Sequence, residues 1–183
     1  MTTALLVIDL QQEFARRTAA GLPRSNPGAE ARITELLGLF RARGLPVVHV
    51  HHDDPDPAAP FRLDGPGGQP MPCAAPLPGE PVHVKHGSSG FVGTGLEAGL
   101  RAAGITRLVV IGAAVNYCVD STIRGAANLG FDVLLPADAT FGFGVTGPTG
   151  RQHDPDEVLS VILGSLAGDF AEITTAAAIP ARL

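Results

Sequence analysis

The sequence predicts an α/β protein with three layers, in which a mainly parallel sheet of about six strands lies between two layers of helices. Short apolar runs, such as residues 4–8 and 108–111, are continuous rather than alternating. Continuous runs are typical of strands that are covered on both faces. Segments with apolar residues at helical spacing lie between these runs. The alternation continues without an internal repeat or a long linker, and it predicts one Rossmann-like domain over residues 1–183.

The strands and helices follow in a regular order. The predicted strands are residues 4–8, 47–51, 81–85, 108–111, 131–135 and 170–174, and the predicted helices are residues 29–43, 96–103, 119–129 and 156–167. Each strand is a short run rich in β-branched or other apolar residues. The helices carry apolar residues three and four positions apart, as Ile33, Leu37 and Phe40 do, and the first three end at Gly44, Gly104 and Gly130.

Four segments rich in glycine, proline or polar residues are predicted to be loops: 11–28, 52–81, 87–95 and 140–156. The insert at 52–81 is long for a compact domain. We interpret it as a lid, a binding loop or part of a subunit contact. We expect the determinants of substrate specificity in 52–81 and 140–156. The segment 87–95 lacks the glycine spacing of known phosphate-binding loops.

Composition excludes several classes of function. The net charge is −5 and no basic cluster is present, which argues against nucleic acid as a partner. No apolar run approaches the roughly 20 residues that span a bilayer, so we expect no membrane contact. Two cysteines far apart are typical of a reducing compartment rather than a disulfide framework, and we expect a cytoplasmic protein.

Cys118 lies in the turn between a predicted strand and a predicted helix. A thiol near the first turn of a helix is close to free backbone N–H groups and to the positive end of the helix dipole. Both favour the thiolate, which is the nucleophilic form of cysteine. Without further context, a small buried cysteine that packs the turn would be the better explanation of this residue.

Two other reactive side chains provide that context. Asp9 and Lys85 each follow or close a predicted strand, as the segment before Cys118 does. The carboxyl ends of parallel strands meet at one edge of the sheet, so we expect the three side chains to converge there. Cys118 would then attack a carbonyl carbon and Asp9 would accept its proton. Lys85 would keep Asp9 ionised and lower the pKa of the thiol.

Three motifs in order resemble the isochorismatase-like cysteine hydrolases, the group that includes nicotinamidases and N-carbamoylsarcosine amidases. They are ALLVIDLQQEF at the start, KHGSSGFVGTGL from Lys85 and GAAVNYCVDSTIRGAANLGFDV from Gly112. The resemblance covers nearly the whole chain. It implies that Asp9, Lys85 and Cys118 are catalytic.

The resemblance also implies properties of the site and of the reaction. It implies a cis peptide between Ala113 and Ala114, with the backbone N–H groups of Ala114 and Cys118 forming an oxyanion hole. Relatives that have this cysteine cleave a C–N bond through a thioester, which predicts a hydrolase for a small amide, ureide or carbamoyl compound. Relatives assemble as dimers or tetramers, so we expect a homo-oligomer.

Five further residues are candidates for substrate binding because they neighbour the three reactive side chains: Gln11, Phe14, His52, Phe91 and Tyr117. An ordinary core position is an alternative for Phe91. Nicotinamidases of this kind bind a metal through an Asp-x-His pair and further histidines after the second strand. The segment from His49 to Asp53 does not match that spacing, so we expect no metal and no other cofactor.

Two residues outside this set have simple structural interpretations. Cys73 lies in the proline-rich insert and is expected to take no part in the chemistry. Asp154 precedes the last helix and is expected to cap it.

A different class of function also stays open, namely a non-catalytic α/β binding or redox protein in which Cys118 is a peroxide-sensitive thiol.

Overall fold

A computed structural model describes residues 2–183 of the chain. The strands are β1 (Thr2–Ile8), β2 (Val47–His52), β3 (Val82–Lys85), β4 (Ile105–Ala113), β5 (Asp132–Pro136), β6 (Thr140–Phe141), β7 (Val145–Thr146), β8 (Gln152–His153) and β9 (Glu172–Thr174). The helices are α1 (Gln12–Ala19), α2 (Ala29–Ala42), α3 (Leu96–Ala102), α4 (Asp120–Asn128) and α5 (Pro155–Leu166).

The main sheet has the order β3-β2-β1-β4-β5-β9, and short β6 pairs with β4. All neighbouring strands in it are parallel. The chain builds one side of the sheet from β1 through β2 to β3 and then crosses back to place β4 on the other side of β1. The strand order therefore reverses between β1 and β4, where a crevice opens at the carboxyl ends of the strands in folds of this kind.

Each face of the sheet carries its own hydrophobic core, as the continuous apolar strands predicted. In β1, Leu5 and Val7 face the layer that contains α2, while Leu6 and Ile8 face the layer that contains α3, α4 and α5. All four side chains are buried. The prediction of a three-layer α/β fold with a mainly parallel sheet is confirmed.

The segment after Asp9 corrects the prediction of a loop over residues 11–28. Its first part forms α1, and only the part after Ala19 is irregular. The helix is polar and buries a single large side chain, Phe14, so it lacks the apolar periodicity that reveals a helix. Its local support is an ion pair one turn apart, in which Arg17 Nε lies 3.0 Å from Glu13 Oε1.

The structure refines two other segments. The stretch 140–156 contains β6 and an antiparallel hairpin formed by β7 and β8, whose two-residue strands are too short to show a pattern. A π turn at Val115–Val119 precedes α4, so Cys118 lies in that turn. Asp154 caps α5 as predicted, because its side chain accepts a hydrogen bond from the Glu157 backbone N–H at 2.8 Å. Within residues 2–183, no helix has the length and apolarity needed to cross a membrane.

Candidate active site

Asp9 is the first residue after β1 and is almost completely buried. Its φ is +47°, a left-handed conformation that Asp tolerates better than most residues. The pairing of Ile8 with Gly112 places Asp9 beside the turn that follows β4. A buried carboxyl at the point where the strand order reverses is thus brought next to the segment that carries Cys118.

Lys85 ends β3, and its ammonium group is buried. Nζ lies 2.7 Å from Asp9 Oδ2, 3.1 Å from the Gly87 carbonyl oxygen and 3.2 Å from Cys118 Sγ. An ammonium group has three N–H donors, and here it meets three acceptors. Lys85 therefore joins the carboxyl and the sulfur that the sequence analysis predicted to converge.

The protonation of this cluster differs from the expectation. Burial raises the pKa of the Cys118 thiol to about 12, and the nearby Asp9 carboxyl contributes to the rise. Lys85 opposes this shift without cancelling it. Burial likewise raises the pKa of Asp9, although Lys85 pulls it down. The prediction of a lowered thiol pKa is therefore wrong, because it counted the helix end and the cation but not the loss of water around the sulfur.

A cavity of about 430 Å³ opens onto this cluster. Its walls are formed by Asp9, Phe14, Arg17, Leu22, His52, Phe61, His86, Gly87, Ser88, Ala114, Asn116, Tyr117, Cys118, Phe143 and Gly144. The volume is in the usual range for a pocket that binds a small molecule. Asp9 and Cys118 both face the space that a substrate would occupy.

Three aromatic rings form one wall of the cavity. The Phe14 ring lies 4.9 Å from the Phe61 ring in an edge-to-face arrangement and 5.9 Å from the Phe143 ring in a nearly parallel one. Phe61 belongs to the insert 52–81 and Phe143 to the segment 140–156. Both segments named by the sequence analysis thus contribute to the cavity.

Gln11 does not line the cavity, contrary to its prediction as a substrate-binding residue. It is fully buried, and its amide nitrogen donates to the carbonyl oxygens of His52 and Gly68, each at 2.8 Å. Its amide oxygen accepts from the His52 backbone N–H at 2.9 Å. Gln11 therefore holds His52 and the insert in place. A buried polar side chain with three backbone partners is a scaffold element.

The other candidates divide between the cavity and the core. His52, Phe14 and Tyr117 line the cavity, and Tyr117 is largely exposed at its rim. Phe91 does not reach the cavity, which corrects its prediction as a substrate contact. Its ring stacks on Phe131 at 5.9 Å and packs in the core on the α4 side of the sheet. The alternative core position is the one that the structure supports.

The turn after β4 contains the two residues that are predicted to form an oxyanion hole, Ala114 and Cys118. The peptide bond between Ala113 and Ala114 is cis, at the position that the family resemblance implies. Ala114 and Cys118 both line the cavity. Gly112 precedes the turn with a φ of +137°, and a Cβ at this position would overlap the Ile8 carbonyl oxygen. Glycine is therefore required where β4 meets β1.

The histidines of β2 point in two directions, because successive side chains of a strand alternate between its faces. The rings of His49 and His51 lie 6.2 Å apart on one face, while His52 reaches the cavity. His49 Nε2 lies within hydrogen-bonding distance of Glu80 Oε2, at 2.9 Å, and burial lowers the pKa of His49. Among residues 2–183, no group of three or more His, Cys, Asp or Glu side chains is arranged to hold a metal ion.

Several residues of the cavity wall were not predicted from the sequence, among them Arg17, Phe61, His86, Ser88 and Phe143. Phe61 and Phe143 are isolated aromatic residues in proline- and glycine-rich segments, which is a weak signal for a binding wall. Arg17 could have been found only if α1 had been recognised, because it lies one turn after Glu13 on that helix.

Comparisons with known proteins agree with the fold. The family model for the isochorismatase domain matches residues 3–155. The isochorismatase family protein YrdC of Bacillus subtilis is 32% identical over 94% of this chain and 91% of its own length. The ureidoacrylate amidohydrolase RutB of Methylobacterium radiotolerans is 28% identical over 100% of this chain and 80% of its own length. A crystal structure of an isochorismatase-family protein from Chromobacterium violaceum has a TM-score of 0.93 and 41% identity, covering 98% of this chain and 92% of that chain.

Proposed function

The chain belongs to the isochorismatase family of hydrolases, and from that premise we propose that it is a cysteine-dependent amidohydrolase. Its substrate would be a small amide, ureide or carbamoyl compound, cleaved at a C–N bond through a thioester on Cys118. The observation that carries the proposal is the bridge formed by Lys85, whose Nζ lies 2.7 Å from Asp9 Oδ2 and 3.2 Å from Cys118 Sγ. RutB, whose name describes an amidohydrolase, supports the choice of bond.

Because the pKa of Cys118 is raised, the first step needs a base, and Asp9 is the residue in position to act as one. The resting thiol carries its proton at neutral pH, so the proton must leave as the sulfur attacks the carbonyl carbon. Asp9 contacts the same Lys85 ammonium group as the sulfur does, and it accepts that proton. The Lys85 ammonium group contacts both residues and stabilises the negative charge that passes between them.

The remaining steps reverse this transfer. The tetrahedral oxyanion accepts hydrogen bonds from the backbone N–H groups of Ala114 and Cys118. When the C–N bond breaks, the protonated Asp9 returns its proton to the leaving amine, and the acyl group stays on sulfur as a thioester. Asp9 then takes a proton from water, whose oxygen attacks the thioester. The acid is released and the thiol is regenerated.

A redox-sensing role for Cys118 is the alternative from another class. Sensor thiols are exposed and have a lowered pKa, because the thiolate is the form that reacts with peroxide. The pKa of Cys118 is raised, and the thiol lies at the end of a cavity beside a carboxyl group that would repel the thiolate. These features favour the hydrolase.

A screen of small amides, ureides and carbamoyl amino acids for ammonia release tests the proposal. We expect at least one compound to be hydrolysed by the wild type and by Cys73→Ser, since Cys73 lies outside the cavity. Cys118→Ser should lose at least about 100-fold in kcat on the same compound, as expected when a catalytic nucleophile is replaced. Full activity of Cys118→Ser would refute the assignment of the nucleophile.

A further inference from the structure

The cavity contains a cationic group that the reaction does not use. Arg17 lies on α1 and lines the wall of the cavity, with its guanidinium 5.2 Å from the centre of the Phe61 ring. The contact with the ring fixes the guanidinium over the aromatic wall. The proposed reaction requires no charge at this place. Lys85 assists the proton transfer between Cys118 and Asp9, and the backbone N–H groups of Ala114 and Cys118 bind the oxyanion.

The hydrogen bonds of Arg17 leave part of its guanidinium group available to a ligand. Nε donates to Glu13 Oε1 at 3.0 Å. Among residues 2–183, the two terminal amino groups of the guanidinium have no hydrogen-bond partner. Terminal amino groups of a held guanidinium are suited to a carboxylate, which can accept two parallel hydrogen bonds from them.

The charge around Arg17 is not cancelled. Glu13 is shared by two arginines, since Arg16 Nη1 lies 3.6 Å from Glu13 Oε2 while Arg17 binds the other oxygen. The three side chains therefore carry a net charge of +1. Among the described residues 2–183, Asp9 is the only one in the cavity wall with a carboxyl group, and it is paired with Lys85. Asp53 Oδ2 lies 4.0 Å from His86 Nδ1 and Asp54 Oδ2 lies 4.0 Å from His52 Nε2, and neither aspartate forms part of the wall.

We infer that the substrate carries a carboxylate, held by Arg17, in addition to the amide carbonyl that meets Cys118. The part between the two groups would be flat and apolar, because it lies along the wall formed by Phe14, Phe61 and Phe143. This inference rests on the proposed function and names the class of substrate. The substrate is a small molecule with an amide group at one end and a free carboxylate at the other.

Matched probes test the inference without requiring turnover. The probes are 3- and 4-carbamoylbenzoate, which carry a carboxylate opposite the amide, and 3- and 4-acetylbenzamide, in which a neutral acetyl group replaces it. Binding is measured by calorimetry in a Cys118→Ala background, which cannot be acylated. We expect at least one carbamoylbenzoate to bind ten-fold or more tightly than its acetyl partner, and the preference to weaken as salt is raised.

Three variants in the same background separate Arg17 from its surroundings. Arg17→Met should abolish the preference for the carboxylate, and Arg17→Lys should retain part of it, since the charge remains but the paired donors do not. Arg16→Met is the matched control. Arg16 is adjacent on α1 and contacts the same glutamate, but its side chain is 60% exposed and outside the cavity wall. It should leave the preference unchanged.

The inference is overturned by equal affinities within each pair, by a preference that persists in Arg17→Met, or by no measurable binding of either carbamoylbenzoate at millimolar concentration. Failure of the hydrolase proposal looks different. In that case the carboxylates would bind through Arg17, and the wild type would release no ammonia from any amide.

Discussion

Lys85 Nζ lies 2.7 Å from Asp9 Oδ2, and both side chains are almost completely removed from solvent. A buried ion pair is weak evidence for stability, since the loss of hydration offsets much of the attraction between the charges. Breaking such a pair is nevertheless costly, because the remaining charge is left buried alone. In this chain Lys85 of the pair also contacts Cys118 Sγ, so the proposed reaction explains the position of the pair better than a contribution to stability does.

Lys85→Met should lower the free energy of unfolding by about 3–5 kcal/mol, as expected when one partner of a buried pair is removed. Asp9→Asn combined with Lys85→Met should cost less than the sum of the two single changes, because no lone charge remains. Urea unfolding of the four proteins measures this. Additive losses would mean that the two charges do not interact.

Hydrolysis should fail on the acid side. Asp9 must be ionised to accept the thiol proton, and its pKa is raised above 3.8 by burial. As pH falls, a carboxyl with a raised pKa becomes protonated at a higher pH than an ordinary one does. The value of kcat/KM should therefore decline with an apparent pKa above 3.8, which belongs to the coupled site as a whole. A pH profile of kcat/KM, recorded where the fold is intact by circular dichroism, checks this. A profile that stays flat down to pH 4 would contradict the assignment of Asp9 as the base.

Cys118 should react slowly with iodoacetamide in the resting protein. Because the thiol pKa is raised to about 12, the thiolate fraction increases about ten-fold per pH unit across the range 7–10. The rate of alkylation should therefore keep rising through that range without a plateau. Mass spectrometry of Cys73→Ser protein isolates the signal of Cys118. A plateau below pH 8 would show a thiolate already formed and would support the redox alternative.

Gly112→Ala should destabilise the protein well beyond the roughly 1 kcal/mol of a typical substitution. The new Cβ would overlap the Ile8 carbonyl oxygen, and φ is +137° at this position. Gly38→Ala is the matched control, because nothing lies within 4 Å of its Cβ position in α2. It should be neutral or stabilise by up to about 1 kcal/mol. Thermal melts of both variants test this prediction, and we expect a lower melting temperature for Gly112→Ala than for Gly38→Ala. Equal melting temperatures would mean that the contact between β4 and β1 tolerates a side chain at residue 112.

The strands and the convergence of Asp9, Lys85 and Cys118 could be predicted from the sequence, because both depend on patterns that repeat along the chain. Buried parallel strands appear as continuous apolar runs. The residues that follow them meet at one edge of the sheet whatever the loops do. The sequence therefore predicts that Lys85 meets Asp9, 76 positions before it, and Cys118, 33 positions after it.

Other features depend on packing that no local pattern records. Helix α1 was missed because only Phe14 on it is both large and buried. Gln11 and Phe91 were misplaced because their direction is set by contacts with Gly68 and Phe131, which are distant in the sequence. The thiol pKa was predicted in the wrong direction because burial, its largest cause, is a property of the folded chain.

The central claim is that Cys118 is acylated by an amide, and acid-quenched intact-mass spectrometry tests it most directly. Wild-type protein is mixed with a hydrolysed amide and quenched during turnover, with Cys118→Ala treated in parallel. The account predicts a mass increase equal to the acyl group, located by peptide mapping on Cys118 and absent from the variant. Turnover with no adduct on Cys118 at any quench time, or an equal adduct on Cys118→Ala, would contradict it.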